Sequence, residues 1–190
     1  FIRLGYEDHP GFNSGDIFEN NDPHYGGIHT PDFDMCMPIC YDGKLIAWAS
    51  SVTHVNDVGM AQAGSIGFLN PNVFADGLTV SMEKVGESDK YYPWYDLRIK
   101  SRTRTPDYVL GDARGRLAGC ITIRERLFEV IDKYSLDFIL DASKEYVEDS
   151  RRYAVSRVKT QGVPGRIRKS QFKDLAMKGK RVLDPSQDID

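Results

Sequence analysis

The residues best suited to chemistry in this chain are two histidine–carboxylate pairs with the same spacing. His29 and Asp32 close the stretch Asn21-Asp22-Pro23-His24-Tyr25-Gly26-Gly27-Ile28-His29-Thr30-Pro31-Asp32, and His54 and Asp57 repeat the H-x-x-D spacing downstream. His29, His54 and Asp32 together offer two imidazoles and one carboxylate. That donor set binds a divalent ion and leaves coordination positions open for substrate. Pro31 would stiffen the turn between His29 and Asp32, and Gly26-Gly27 would let backbone approach without side-chain clash. All four histidines lie in the first 54 residues, so most ligands of any metal site must come from here. A plain reading stands beside this one: His54 ends a strand and Asp32 caps a turn. The residues alone leave both open. Oxygen-rich surroundings (Asp22, Asp34, Asp57) with few thiols favour Mn²⁺ or Fe²⁺ over Zn²⁺. The carboxylate follows His29 by three residues rather than two, which departs from the usual Fe(II) oxygenase pattern.

These residues can act together only if the chain folds them together. Met35 to Tyr41 is an apolar run containing Pro38, and Lys44 to Thr53 is the strongest strand pattern in the chain. Between them, Asp42-Gly43 is a strong two-residue hairpin signal. The open end of such a hairpin brings the region of residues 29–35 beside that of residues 52–57. A shorter strand is expected at Asp16-Ile17-Phe18 and another from Thr79 to Val85, with turns around Asn20-Asn21-Asp22-Pro23. Residues 59–77 read as a glycine-rich loop. Beyond Asp107 the texture changes. Cys120, Ile123, Leu127, Val130, Ile131 and Tyr134 recur at helical spacing, which predicts an amphipathic helix over 112–134. A second follows over 137–160, stopped by Gly162 and Pro164. The expected class is α+β, with a β-rich, loop-rich N-terminal half carrying the metal site and a helical C-terminal half. The expected organisation is a β-rich region over 1–106, two amphipathic helices over 107–162 and a basic polar tail or linker over 163–190.

Composition narrows the function classes. The 190 residues are 41% hydrophobic and 28% charged, ordinary for a soluble globular protein. No apolar run approaches the roughly 18 residues of a membrane span, and no secretory leader is visible. Three cysteines, Cys36, Cys40 and Cys120, are too few and too unevenly placed for a disulfide framework. A reducing, cytoplasmic setting is expected. The C-x-x-x-C pair sits among apolar neighbours and reads as small packed residues rather than as metal ligands. The chain starts Phe1-Ile2-Arg3 without Met, which reads as a piece of a longer polypeptide. Residues 151–190 carry 11 Lys and Arg against 4 Asp and Glu, leaving 14 against 24 in residues 1–150. The tail has few aromatics and no nucleic-acid motif, so it is expected to pack on another subunit or domain rather than on nucleic acid.

Other clusters are weaker. Tyr91, Tyr92, Trp94 and Tyr95 fit core packing or a subunit interface better than a substrate pocket. Arg98, Arg102 and Arg104 fit a solvated strand face as well as a grip on carboxylate or phosphate. Asp76-Gly77 could set a carboxylate near the histidines, though such pairs usually mark a turn. No phosphate loop, dinucleotide fingerprint or nucleophile elbow is present.

The ordered set Gly15-Asp16, Asn21-Asp22-Pro23-x-Tyr25-Gly26-Gly27-x-His29-x-x-Asp32, Gly43, Trp48, His54-x-x-Asp57-x-Gly59, Gly64-Ser65 and Gly111-Asp112 resembles the hydantoinase B/oxoprolinase family. Within it, the likeness is to the metal-bearing large (alpha-type) subunits of the ATP-dependent ketone carboxylases, acetone and acetophenone carboxylase, and it covers about residues 11–160. The resemblance implies Mn²⁺, with Zn²⁺ or Fe²⁺ as alternatives, held by His29, Asp32 and His54. It makes Asp57 a supporting or additional candidate. It implies ATP on a hydantoinase A-type partner subunit, a further small subunit, and a ketone and bicarbonate as substrates, with no biotin. Carboxylation of acetone or acetophenone to the β-keto acid is the expected reaction. ATP-dependent opening of a hydantoin or 5-oxoproline ring is the alternative within the family, and a non-catalytic assembly segment the alternative outside it. The chain departs from the family pattern in having Met60 after Gly59, where Gly is common, and Asp76 before Gly77, where Glu is common. It is also much shorter than a large subunit of this kind.

Overall fold

A computed structural model of the chain describes residue 11, residues 13–67 and residues 69–161, with side chains described as far as Ser156. The expected basic tail over 163–190 and His9 lie outside the described residues. The elements are β1 (Ile17–Asn20), β2 (Asp32–Tyr41), β3 (Lys44–His54), β4 (Glu83–Glu87), β5 (Lys90–Tyr91), α1 (Pro93–Arg102), α2 (Pro106–Tyr134) and α3 (Leu136–Gln161). The five strands form one antiparallel sheet in the order β3-β2-β1-β4-β5. Strands dominate the N-terminal half and helices the C-terminal part, so the chain is α+β.

The hairpin forms where Asp42-Gly43 predicts it. Both turn residues have positive φ, +50° and +73°, as a two-residue turn matched to strand twist requires. β2 starts at Asp32, three residues before the expected Met35, because alternation already begins there. Phe33, Met35, Met37 and Ile39 are fully buried on one face, while Asp32, Asp34 and Cys36 lie half-buried on the other. A bulge between Ile39 and Cys40 interrupts the pairing near the turn.

The apolar face of the sheet meets Tyr95 and Ile99 of α1 and Val109, Leu110, Ala113 and Cys120 of α2 in one core. One core thus runs across the texture change at 106/107, and the first helix, α1, already lies before it. One compact unit runs through Lys133, and a second begins at Tyr134. Part of the aromatic segment is core: Tyr91 and Tyr95 stack with centroids 4.2 Å apart and Tyr95 is buried, whereas Trp94 is exposed. Arg98 and Arg102 correct the expected strand face, since they lie on the helix α1. α3 matches the expected 137–160 helix to within a residue at each end. Among the described residues, no helix is long and apolar enough to cross a membrane.

Candidate metal centre

Pairing in the hairpin decides the geometry of the site. Asp32 is directly opposite His54 at the open end of the β2–β3 ladder, and Phe33 is opposite Thr53. His29 joins them through the H-x-x-D turn, closed by the Asp32 amide donating to the His29 carbonyl at 2.9 Å. The Val55 amide donates to the Pro31 carbonyl at 2.9 Å, which carries the ladder one step past the strand ends. Asp32 then lies between the imidazoles: its Oδ1 is 2.9 Å from His54 Nδ1 and its Oδ2 is 3.1 Å from His29 Nε2. The two rings lie with centroids 5.0 Å apart. One ligand atom from each of the three residues falls within 4.8 Å of the others. Asp32 is largely shielded, with its side chain 15% exposed, whereas both imidazoles are nearly half exposed and accessible from solvent.

The donor set suits a divalent ion. Ligand bonds of about 2.0–2.2 Å place donors roughly 3–4 Å apart around one ion. The Asp32 contacts already have that spacing, and the widest gap in the set exceeds it slightly. Two neutral nitrogens and one anionic oxygen match a borderline or hard divalent ion rather than a thiophilic one.

The loop that carries His29 is held by side chains that spacing alone did not reveal. Asn21 is fully buried, and its amide nitrogen donates to the Thr30 carbonyl at 2.5 Å and the Leu78 carbonyl at 2.9 Å. Its Oδ1 accepts from the Val80 amide at 2.6 Å. Asp22 caps the short 3₁₀ turn Pro23–Tyr25 by accepting from the His24 amide, and its other oxygen accepts from the Ser81 hydroxyl at 2.6 Å. The Ser81 bond holds the Asp22 carboxyl below its usual range, with the His24 amide helping against the opposing effect of burial. A Cβ on Gly27 would sit 2.9 Å from backbone atoms of Asn21 and Asp22, so the loop can close this tightly only with glycine there. His24 is exposed and takes no part in the set.

Asp57, the candidate for supporting the ligands, is engaged elsewhere. It is almost fully buried and accepts from the Arg104 amide at 2.6 Å and from the Arg104 guanidinium at 2.7 Å. Arg104 also donates to the Met60 carbonyl, so the pair ties the segment after β3 to the segment after α1. The second H-x-x-D is thus a structural joint rather than a copy of the first. The Asp-Gly signal at residue 76 does reach the site. A cavity of about 420 Å³ is lined by His29, Pro31, Met60, Ser65, Ile66 and Asp76, among others. One Asp76 oxygen accepts from the Asn70 amide at 2.7 Å. A larger cleft of about 720 Å³ lies by Arg98 and Arg102 at the end of α1, and no histidine lines it. The smaller cavity is the one that contains a member of the donor set.

Residues 3–182 match the sequence model of the hydantoinase B/oxoprolinase family. The chain belongs to that family. It is 33% identical to the acetone carboxylase alpha subunit of Xanthobacter autotrophicus over 97% of its own length and 24% of that protein's. It is 32% identical to the B-type subunit of a D-/L-hydantoinase from a Pseudomonas species over 77% of its length and 26% of the relative's. Among solved structures, nucleotide-free acetone carboxylase superposes with a TM-score of 0.80 at 34% identity, over 86% of this chain and 22% of that one. The chain thus spans about a quarter of the length of these relatives.

Proposed function

We propose that this chain is the metal-bearing part of a subunit of an ATP-dependent, biotin-independent ketone carboxylase. Such an enzyme converts acetone or acetophenone and bicarbonate to the β-keto acid. The observation that carries the reading is the pair His29 and His54 bridged by Asp32, with His29 on the wall of a partly apolar cavity. The likeness to acetone carboxylase in sequence and structure supports it. A divalent ion held by His29, Asp32 and His54 would supply a Lewis acid that stabilises negative charge on an enolate or bicarbonate oxygen. Mn²⁺ is the ion proposed, with Zn²⁺ and Fe²⁺ as alternatives.

The protein's own groups do the rest. Pro31, Met60 and Ile66 give the cavity apolar walls that suit a small ketone and displace water. Asp76 is the one carboxylate of the lining outside the donor set, and only one of its oxygens has a partner in Asn70. We assign it removal of the proton from the carbon that will be carboxylated. ATP would bind a hydantoinase A-type partner subunit, as the family resemblance implies. The acetone carboxylase and hydantoinase relatives are both named as subunits, which supports a hetero-oligomer; a further small subunit is part of the proposal.

The nearly equal identity to a hydantoinase chain favours one second reading, ATP-dependent hydrolysis of a cyclic amide. Convergence of the two imidazoles counts against a purely scaffolding role. Elemental analysis of the purified complex with and without His29→Ala, together with ATP turnover driven by ketone plus bicarbonate or by a hydantoin, tests the proposal. Stoichiometric metal lost on His29→Ala and ketone-dependent turnover are expected. A complex without metal, or full activity in the variant, would overturn the metal role, and turnover driven only by the cyclic amide would move the reaction to the second reading.

A further inference from the structure

The structure assigns Arg116 as a positioning residue that sets the Asp32/His54 pair from beneath the sheet. The assignment rests on the metal reading and extends it to a residue that never reaches the cavity. Arg116 lies on α2 and is fully buried, as is Glu19 on β1. One guanidinium nitrogen donates to Glu19 Oε1 at 2.8 Å and another to Thr53 Oγ1 at 2.5 Å. The guanidinium carbon sits 5.4 Å from the centroid of the Phe33 ring. Glu19, Phe33 and Thr53 belong to three adjacent strands, β1, β2 and β3. A single planar group therefore contacts all three strands: Glu19 on β1 stands opposite Met35, two residues in from the Phe33–Thr53 level of β2 and β3.

That level is adjacent to the site. Phe33 and Thr53 are a register pair, and the next pair outward is Asp32 and His54. Successive strand side chains alternate between faces, so Phe33 and Thr53 face the helices and Asp32 and His54 the opposite side. Strand ends fray unless something holds them, and a slip of one residue would reverse the faces of both side chains on the strand that shifts. Arg116 opposes both motions at the last rung before the donor set.

Stability alone is a poor reason for this arrangement. Buried ion pairs can often be replaced by apolar side chains at no loss. This one also leaves Glu19 Oε2 and Arg116 Nε without a hydrogen-bond partner among the described residues. Tyr95 adds a further bond to Glu19 Oε1 at 2.8 Å, fixing the acid that orients the guanidinium. A costly polar network at this point in the sheet is explained by what it orients.

The test uses the full-length protein in its complex and two readouts. Thr53→Val removes the acceptor without changing charge or size, and Arg116→Lys keeps the charge but cannot contact all three strands. The paired change Glu19→Gln with Arg116→Met keeps the interior neutral if the lysine variant fails to fold. Mn²⁺ affinity is measured by calorimetric titration, and amide hydrogen exchange is followed along the hairpin. Each variant is expected to bind Mn²⁺ about 10- to 100-fold more weakly, as for other groups that orient metal ligands. Exchange should quicken at residues 32–34 and 52–55 and stay unchanged near the Asp42-Gly43 turn. Mn²⁺ affinity within about twofold of the parent, or exchange that rises equally along the whole hairpin, would overturn the assignment. A parent complex that binds no divalent ion would instead overturn the metal reading, and the exchange pattern would then decide the brace alone.

Discussion

Each oxygen of Asp32 meets a different imidazole, so one carboxylate fixes the separation of both nitrogen donors. The cysteines show how differently the same sheet treats a neighbouring potential ligand. Cys36 is on the Asp32 face of β2, but burial, with the Asp34 carboxylate adding to it, pushes its thiol up to about 11. Burial likewise raises Cys120 on α2 to about 11. Thiols held in the protonated form are poor nucleophiles and poor metal ligands, which fits the reading of these residues as packing. A rise from the ordinary thiol value of 9.0 to about 11 means about 100-fold less thiolate at pH 8. Iodoacetamide labelling followed by mass spectrometry should therefore modify Cys36 and Cys120 roughly 100-fold more slowly in the folded chain than in urea. Equal rates would disprove the environment described for them. The same shifts give a stability trend. Below pH 9 both folded and unfolded chains keep these protons, and the thiols contribute nothing. Between about pH 9 and 11 only the unfolded chain releases them, so stability should fall across that window.

At the scale of elements, the site is a junction between the hairpin end and the loop carrying His29, and Asn21 is its fastener. It makes three hydrogen bonds, to Thr30, Leu78 and Val80, from a fully buried position. At roughly 1 kcal/mol net per bond, Asn21→Ala should cost about 3 kcal/mol in urea denaturation with an unchanged slope. The same variant should bind Mn²⁺ more weakly, because His29 moves with the loop. Loss of stability below about 1 kcal/mol would show that the loop is held by its backbone alone. The hairpin was legible in the sequence because Asp-Gly fixes a turn type and alternation fixes a face; both are local. α1 was not legible: only Tyr95 and Ile99 of its ten residues are buried, too few to stand out among the arginines around them. Asp57 misled because spacing repeats without regard to which cation lies nearby, and Arg104 follows 47 residues later. Arg116 was hidden for a related reason. A charged residue in a helical pattern reads as surface, and only the placement of Glu19, 97 residues away, brings it inside.

Across the whole chain, the two compact units differ in what stabilises them. The unit ending at Lys133 has the sheet and the core beneath it. α3, in the other, has no fully buried side chain among those described, and leaves Phe138, Tyr146 and Tyr153 more than half exposed. Its visible stabilisation is local: Arg151 and Arg152 pair with Glu148, and Lys144 pairs with Asp141, all at the surface. Exposed pairs of this kind contribute little to stability. Helices of this length draw most of their stability from packing an apolar face. Local opening of α3 in the isolated 190-residue chain should therefore be frequent, while the sheet opens only with the core. Limited digestion with trypsin, read by mass spectrometry, should cut after Lys144, Arg151 and Arg152 well before Lys84, Arg104 or Arg116. The product containing the sheet should keep a cooperative urea transition. Early cleavage within residues 84–124, or loss of that transition once α3 is cut, would show that the sheet unit needs α3 to stand. Slower cutting of the same three sites in the full-length complex than in the isolated chain would show that the exposed apolar side chains of α3 are covered there.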